Sequence, residues 1–378
     1  MKSKDFIIRG ATMALMLFSA VGVRAYAGGA AYTMTNAGDD NRIVVFSRDD
    51  GGLLSKVGTV STGGKGSGGG IDPLGSQGSL VLVDHDGGHH GWRRHGHGGK
   101  HHDGELLLAV NAGSNDVSVF RVGGHGVKLQ DRTGSGGSFP VSLTVFGDTV
   151  YVLNNGAPAN ITGFKLDRRG RLHSLPNSTR LLGDGSYGQV AFDPRGKALI
   201  ITDKANNRLL VYRVNQGILS AAPVVTPSSG AVPFAVDFDR KGHLLVVEAG
   251  ANAVSSYDIS HDGSLHVISA SVPNGQAATC WIVVNRRGDI ITTNPGTNSL
   301  SSFHVNAGTG QVSLLNGTAG AGDAPLDIDM TGNGRFAYAV DPANGGVDMF
   351  RVERDGGLTG LGNVNGGLSI FAQGMAVD

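Results

Sequence analysis

The sequence predicts an all-β fold, a seven-bladed β-propeller, from three observations. A hydrophobic strand that ends in Asn, Asp or Glu, followed by a small-residue turn and a second strand, occurs seven times. From the second occurrence onward the spacing is 43, 49, 45, 46 and 47 residues. The chain also has 62 Gly among 378 residues without a collagen period, which indicates many tight turns. Repeats of roughly 40–50 residues with four short strands each are typical of propeller blades.

Each repeat divides into four strands, named a to d from the centre of the ring outward. In one unit, QVAFD forms strand a, ALIITD strand b, RLLVYRV strand c and ILSAAPVV strand d. After residue 27 the chain begins on a strand b, AAYTMTN, and residues 369–378 form an unmatched strand a. We therefore expect the C-terminal strand to pair with the N-terminal blade and close the ring.

The first 27 residues have the composition of a secretory signal peptide. A basic start with Lys2, Lys4 and Arg9 precedes an apolar run and the sequence AYA, which ends at Ala27. We expect residues 1–27 to be removed and residues 28–378 to form the propeller. The protein would then be exported to the periplasm or the extracellular space. An uncleaved anchor is the alternative, although the apolar run is short for a membrane span.

Composition argues against several kinds of partner. Lys plus Arg and Asp plus Glu both number 31, so no net charge attracts nucleic acid or an anionic membrane. Cys280 is the single cysteine, so an internal disulfide is impossible, and its apolar neighbours predict a buried, inert thiol. No feature marks an oligomer interface, and we expect a monomer without membrane contact after signal cleavage.

Polar side chains end the seven b strands and are expected to surround one mouth of the central channel. Because strand direction alternates, the b–c turns and the d–a links lie on the same face of the ring. A concave mouth with convergent polar groups is the default ligand site of such a fold. The alternative is that these side chains cap the turns. The seven residues are Asn36, Asn111, Asn154, Asp203, Glu248, Asn294 and Asp341.

Three segments carry a resemblance to a known family. They are VNAGSNDVSVFRV at Val110–Val122, VAFDPRGKALIITDKANNRLLVYRV at Val190–Val214 and EAGANAVSSYDISHDGSL at Glu248–Leu265. The chain resembles the seven-bladed lactonase family, which includes bacterial 6-phosphogluconolactonases and the fungal carboxymuconate cyclase. Lactonases of this family usually begin several inner strands with Pro-His. Here the corresponding stretches FPVSLTV, YGQVAF, VPFAVDF, TCWIVV and APLDIDM contain no His.

The resemblance implies hydrolysis of a small-molecule lactone or a carbohydrate lactone. This reaction needs a base that activates water and donors that stabilise an oxyanion. With the family's His absent, Glu248 and Asp203 are the candidate catalytic bases. No cofactor is required, and a divalent metal is an open alternative. The candidate substrate-binding residues are Lys204, Asn111, Asn154, Asn294, Asp341, Asn36 and Gln189.

Two unusual segments interrupt the repeats. Gly63–Gly78, GGKGSGGGIDPLGSQG, lies on the site face and lacks the residue order of a phosphate-binding loop, so we interpret it as a flexible link or lid. Residues 85–104 replace an a–b turn and are expected on the opposite face, as a loop that binds metal weakly or adventitiously. The candidate metal ligands there are His89, His90, His95, His97, His101 and His102.

Two functions are compatible with these features. The first is an exported hydrolase of a small cyclic ester or sugar lactone, with its site at the channel mouth. The second is a non-catalytic propeller that binds a ligand, a glycan or a protein, and the missing His residues favour it. Metal capture by the His-rich segment is a third, minor hypothesis.

Overall fold

A computed structural model describes residues 28–83, 105–124 and 126–378 as seven antiparallel sheets arranged in a ring. The predicted seven-bladed propeller is confirmed. The predicted signal peptide and the His-rich segment, with all six candidate metal ligands, lie outside the described residues. Within those ranges, no helix is long and apolar enough to cross a membrane.

The first four blades contain the following strands, given from the centre outward. Blade I contains β30 (Gln373–Val377), β1 (Ala30–Met34), β2 (Arg42–Arg48) and β3 (Leu54–Ser61). Blade II contains β4 (Leu80–Val83), β5 (Glu105–Asn111), β6 (Asp116–Gly123) and β7 (Gly126–Gly134). Blade III contains β8 (Pro140–Phe146), β9 (Thr149–Asn154), β10 (Asn160–Leu166), β11 (Leu172–Ser174) and β12 (Arg180–Leu181). Blade IV contains β13 (Tyr187–Phe192), β14 (Ala198–Asp203), β15 (Arg208–Asn215), β16 (Ile218–Leu219) and β17 (Val224–Pro227).

The remaining three blades are regular four-stranded sheets. Blade V contains β18 (Pro233–Phe238), β19 (Leu244–Glu248), β20 (Ala253–Ile259) and β21 (Leu265–Pro273). Blade VI contains β22 (Trp281–Val284), β23 (Asp289–Asn294), a short 3-10 helix (Pro295–Thr297), β24 (Ser299–Val305) and β25 (Val312–Ala321). Blade VII contains β26 (Ile328–Met330), β27 (Phe336–Asp341), β28 (Gly346–Val352) and β29 (Leu358–Asn365).

The position of a strand in its blade decides its burial. All six residues of β14 and of β27 are buried, because neighbouring blades cover both faces of these b strands. The outermost strand β25 is mostly exposed along its length. Continuous apolar runs therefore mark the b strands, and mixed polar sequences mark the perimeter.

The ring is closed by its inner strands. Each inner strand contacts the next, from β4 through β8, β13, β18, β22 and β26 to β30, which contacts β4. β30 pairs antiparallel with β1, with Val377 beside Ala31. The first and last strands of the described chain thus share one blade, and neither is an open edge.

An Asn recurs at the end of four b–c turns and fixes the links on the same face. Its φ is 60° at Asn115, 51° at Asn207 and Asn252, and 52° at Asn298, a left-handed conformation that Asn tolerates. Each side-chain Oδ1 accepts a hydrogen bond from a backbone amide of the following d–a link. The donors are Phe139, Val232, Thr279 and Ala324, respectively.

Candidate functional site

The seven polar residues that end the b strands lie inside their blades. Asn36 is 1% exposed and the other six are 0% exposed. Each bonds to its own turn, to strand c or to the link that leads into its blade. We call such a residue, with the groups bonded to it, a polar hub. The structure does not bring the seven side chains together around a ligand space, and their placement agrees with the turn-capping alternative.

Glu248, predicted as a catalytic base, accepts a full set of hydrogen bonds in blade V. Its Oε1 accepts from Ser228 Oγ at 2.9 Å, from Gly230 N at 2.7 Å and from Ser255 Oγ at 2.8 Å. Its Oε2 accepts from Ser271 Oγ at 2.5 Å. Because the carboxylate is wholly buried and bonded at both oxygens, it offers no atom to a substrate water.

Asp203, the second predicted base, is also buried and engaged. Its Oδ2 accepts from Arg208 Nε and from Asn206 Nδ2, both at 2.8 Å. Its Oδ1 faces the backbone amides of Ser186 and Asn206 at 3.4 Å. These contacts hold the b–c turn of blade IV, which favours a structural role.

The predicted substrate-binding amides form equivalent hubs. Asn111 Nδ2 donates to Asp116 at 2.6 Å and to Ser118 at 2.8 Å. Asn294 Nδ2 donates to Ser301 at 2.9 Å, and Asn154 Nδ2 donates to Asn160 at 3.0 Å. The remaining predicted residues are bonded likewise: Asn36 to Ser67 and Phe371, Asp341 to Asn344, and Gln189 to the amide of Val236 on β18.

The space at the centre of this face is filled by the chain itself. Residues 62–79 separate β3 from β4, whereas the other six d–a links contain only five to seven residues. The second half of this link enters the ring between the inner strands, where Leu74 is 3% and Ser76 0% exposed. We call residues 72–77 the plug. The second half of the predicted flexible link or lid therefore packs inside the ring, whereas residues 69–71 are exposed.

Hydrogen bonds connect the plug to four other blades. Trp281 Nε1 donates to the Ser76 carbonyl at 2.9 Å, and Ser76 Oγ donates to the Val141 carbonyl at 2.7 Å. The Gln77 side chain donates to the Ile282 carbonyl and accepts from the Ile282 amide, both at 3.0 Å. On the other side, Gln373 Oε1 accepts from the Leu74 amide at 3.0 Å. These hydrogen bonds join the plug to blades I, III and VI. Lys204, which follows the b strand of blade IV, joins the plug to that blade through the Gly75 carbonyl.

Asp72 and Lys204 bind opposite sides of one plug residue. Asp72 Oδ1 accepts from the Gly75 amide at 3.0 Å and from Gln373 Nε2. Lys204 Nζ donates to the Gly75 carbonyl and lies 4.9 Å from the ring centre of Phe234. Both Asp72 and Lys204 remain partly exposed. Of the predicted substrate-binding residues, Lys204 is thus the one placed at the mouth beside the plug.

Burial shifts the protonation of the groups around the plug. It raises the pKa of Asp72 to about 7, although the Lys204 ammonium acts in the opposite direction. It lowers the pKa of Lys204, and it raises that of Cys280 to about 12, so the thiol is inert as predicted. Deeper in the ring, burial raises the pKa of Asp327 to about 8, and its Oδ2 has no hydrogen-bond partner. Buried ionisable groups with shifted pKa values therefore cluster around the plug.

Comparison with known proteins agrees with this architecture. The family description "Lactonase, 7-bladed beta-propeller" matches residues 187–367. The resemblance to the seven-bladed lactonase family is confirmed. No curated protein matches the chain.

Solved structures share the seven-bladed fold of this chain at low sequence identity. A candidate 6-phosphogluconolactonase from Bacteroides fragilis NCTC 9343 has a TM-score of 0.70 at 17% identity, over 93% of this chain and 98% of that one. The periplasmic gluconolactonase of Pseudomonas aeruginosa has a TM-score of 0.68 at 14% identity, over 92% of this chain and 99% of that one. At such identities the likeness shows the fold alone.

Sequence reasoning did not consider Asp72, which the structure places next to Lys204 in the plug. The available signal was the length of the link, because no other d–a link carries an insertion that could reach the channel. Its glycines suggested flexibility instead. The described part of the chain contains no group of three His, Cys, Asp or Glu side chains spaced to hold a metal ion.

Proposed function

We propose that this lactonase-type propeller hydrolyses a small cyclic ester at the channel mouth, with Asp72 as general base and Lys204 as the stabilising cation. The observation that carries the proposal is the shared binding of Gly75, whose amide donates to Asp72 and whose carbonyl accepts from Lys204. A base and a cation held side by side are what lactone hydrolysis requires. The family match supports the class of reaction.

The chemistry follows from the two charges. The Asp72 carboxylate takes a proton from water while the water oxygen attacks the lactone carbonyl carbon. Protonation of Asp72 removes the counterion of Lys204, whose ammonium then stabilises the oxyanion of the tetrahedral intermediate. As the ring C–O bond breaks, Asp72 returns its proton to the leaving alkoxide, and the product is a hydroxy acid. A pKa of about 7 suits a group that accepts and returns a proton near neutral pH.

Exposed apolar side chains close in sequence to residues of this site favour an unphosphorylated lactone. Ile71 precedes Asp72 and is 55% exposed. Ile370 is 50% exposed and lies three residues before Gln373, which bonds Asp72. In the resting site the charge of Lys204 is compensated by Asp72 and engaged by Gly75, so it offers little to a phosphate group.

The plug favours a second candidate function, a propeller that binds a ligand, a glycan or a protein without catalysis. Its bonds to the inner strands occupy the concave space in which a substrate would otherwise be enclosed. In that case the exposed surface around the plug would be the binding face.

Turnover of a lactone panel by the full chain tests the proposal. We expect hydrolysis that falls at least a hundredfold in Asp72→Asn and remains in Asp355→Asn, a matched change at an exposed turn. Loss in Glu248→Gln or Asp203→Asn, with Asp72→Asn active, would instead support the bases predicted from sequence. If wild-type protein with a normal unfolding transition turns over no lactone, the non-catalytic function is favoured.

We also propose export and a monomeric state. Export is supported by the composition of residues 1–27, and the gluconolactonase of similar fold from Pseudomonas aeruginosa is periplasmic. N-terminal sequencing of protein from fractionated cells should give Gly28 as the first residue. Light scattering should give the mass of one chain, and a larger mass would contradict the monomer.

A further inference from the structure

Blade VII carries acidic side chains where other blades carry hydroxyl groups. In blades II, V and VI, the third residue of strand c is a serine: Ser118, Ser255 and Ser301, respectively. Each serine forms a hydrogen bond with the residue that ends strand b of its own blade. The residue in the same register of blade VII is Asp348, and it faces Asp341. Blade VII therefore has two carboxyl groups side by side, where blades II, V and VI have a serine hydroxyl paired with the residue that ends strand b.

The Asp348 carboxyl group is incompletely satisfied. Its residue is 8% exposed, and its Oδ1 accepts from Asn363 Nδ2 at 2.9 Å. Its Oδ2 accepts no hydrogen bond from a neutral donor, and a proton on either carboxyl would be shared between Asp348 and Asp341. Asp341 and Asp323 both add negative charge nearby. Two neighbouring carboxyl groups in a buried place are costly to ionise together, so this arrangement favours either a proton shared between them or a cation.

Asp348 is one of the residues that line an open cavity of about 350 Å³. Four of the lining residues carry side-chain oxygens, and none of the described residues in the wall is basic. The four are Asp348, Asp323, Asn344 and Asn363. Gly360 and Gly362 leave part of the wall formed by the outer strand without side chains, while Met349 and Phe350 add apolar surface. The cavity therefore combines acceptors with room for a short hydrocarbon stem.

We infer that this cavity is a binding site for a protonated primary amine, whose ammonium group donates to the Asp348 carboxylate. Asp341 and Asp323 would supply further negative charge, and the stem would lie along Met349 and Phe350. The amine could be a free small molecule or a lysine side chain of another protein, because both present the same ammonium group and stem. The site is separate from the plug and does not depend on the proposed hydrolysis.

The arrangement suits an ammonium group better than a metal ion. The described residues hold no trio of Asp, Glu, His or Cys side chains with the convergence that a metal site needs. An ammonium needs acceptors at hydrogen-bond distance, about 2.7–2.9 Å, and tolerates amide and backbone oxygens among them. Its stem also gains from apolar contact, which a metal ion does not.

Calorimetric titration of the full chain at pH 8 tests the site. The probes are cadaverine as a free amine, Nα-acetyl-lysine amide as a lysine side chain, 1-pentanol as an uncharged analogue and CaCl₂. We expect at least one amine to bind wild type and Asp355→Asn equally, and to bind Asp348→Asn at least tenfold more weakly. Asp323→Asn, a change at an exposed residue that should leave the fold intact, should weaken amine binding about twofold to fivefold.

Each outcome bears on the inference. A preference for cadaverine supports a free amine, and a preference for the lysine derivative supports a protein partner. The inference is overturned if neither amine binds, if pentanol binds as well as cadaverine, or if Asp348→Asn, folded by circular dichroism, binds amines like wild type. Binding of CaCl₂ without amine binding would replace the amine with a metal ion.

Discussion

The polar hub of blade V and the plug at the channel mouth both bury a carboxylate, but they surround it differently. Glu248 accepts four hydrogen bonds from neutral donors and is wholly enclosed. Asp72 faces an ammonium group, stays partly exposed and has a pKa raised by burial to about 7. Saturation by neutral donors makes a carboxylate structural, whereas partial compensation leaves a group that can exchange a proton.

Removal of the carboxylate from the blade V hub should give the largest loss of stability. Glu248→Leu would leave Ser228, Gly230, Ser255 and Ser271 without their common acceptor inside the protein. Buried unsatisfied donors cost about 1–3 kcal/mol each, partly recovered by relaxation, so we expect a loss of about 3 kcal/mol or more. Urea unfolding monitored by circular dichroism measures it, with Glu353→Leu at a partly exposed position as the control.

The same hub predicts a mild effect for the isosteric change. In Glu248→Gln the remaining carbonyl oxygen can keep the three donors of Oε1, and the new amide can donate to Ser271 Oγ, whose hydroxyl can turn. We expect a loss below about 1 kcal/mol. Equal losses for Glu248→Leu and Glu248→Gln would show that packing, not hydrogen bonding, decides the stability of the hub.

The plug should contribute less to stability than the hub. Gln77→Ala removes both hydrogen bonds to Ile282, which connect the plug to β22 across the ring. Two net hydrogen bonds in a partly buried place predict a loss of about 2 kcal/mol and faster proteolytic cleavage within residues 63–78. Gln130→Ala, at a partly exposed position on the outer strand of blade II, is the control. Identical unfolding and cleavage in both variants would mean that the plug is held by other contacts.

Sequence patterns predicted the ring because the fold depends on periodic features. The apolar b strands, the turn residues and the unmatched C-terminal strand each follow from local chemistry and repeat along the chain. The alternation of strands also placed the polar strand ends and the long link on one face correctly. The strand pattern did not determine whether each of these polar side chains points into the channel mouth or into its own blade.

The site was harder to predict because it depends on contacts distant in sequence. Asp72 meets Gln373 and Lys204, which lie in different blades, and no periodicity relates them. The burial of Glu248 also depends on Ser228, Ser255 and Ser271, which read as ordinary polar strand and link residues. A strand-end carboxylate therefore looks the same in the sequence whether it binds water or three serines.

The blade VII hub offers the smallest and most specific test, through pH. Burial raises the pKa of Asp348 from 3.8 to about 7, so the folded protein keeps a proton that the unfolded chain releases above about pH 4. Wild-type stability contributed by this group therefore falls as the pH rises from about 4 to 7 and stays low above that range.

Asp348→Asn removes this titration and allows an amide to donate to Asp341, as Asn side chains do in other hubs. We expect the variant to be about 1 kcal/mol or more stable than wild type at pH 8, and to lose that advantage at pH 4.5. Urea midpoints at the two pH values measure the difference, with Asp355→Asn as the control. A variant that is less stable than wild type at both pH values would show that Asp348 is compensated in the folded protein, and that the acidic contact in blade VII resembles the satisfied hub of Glu248 after all.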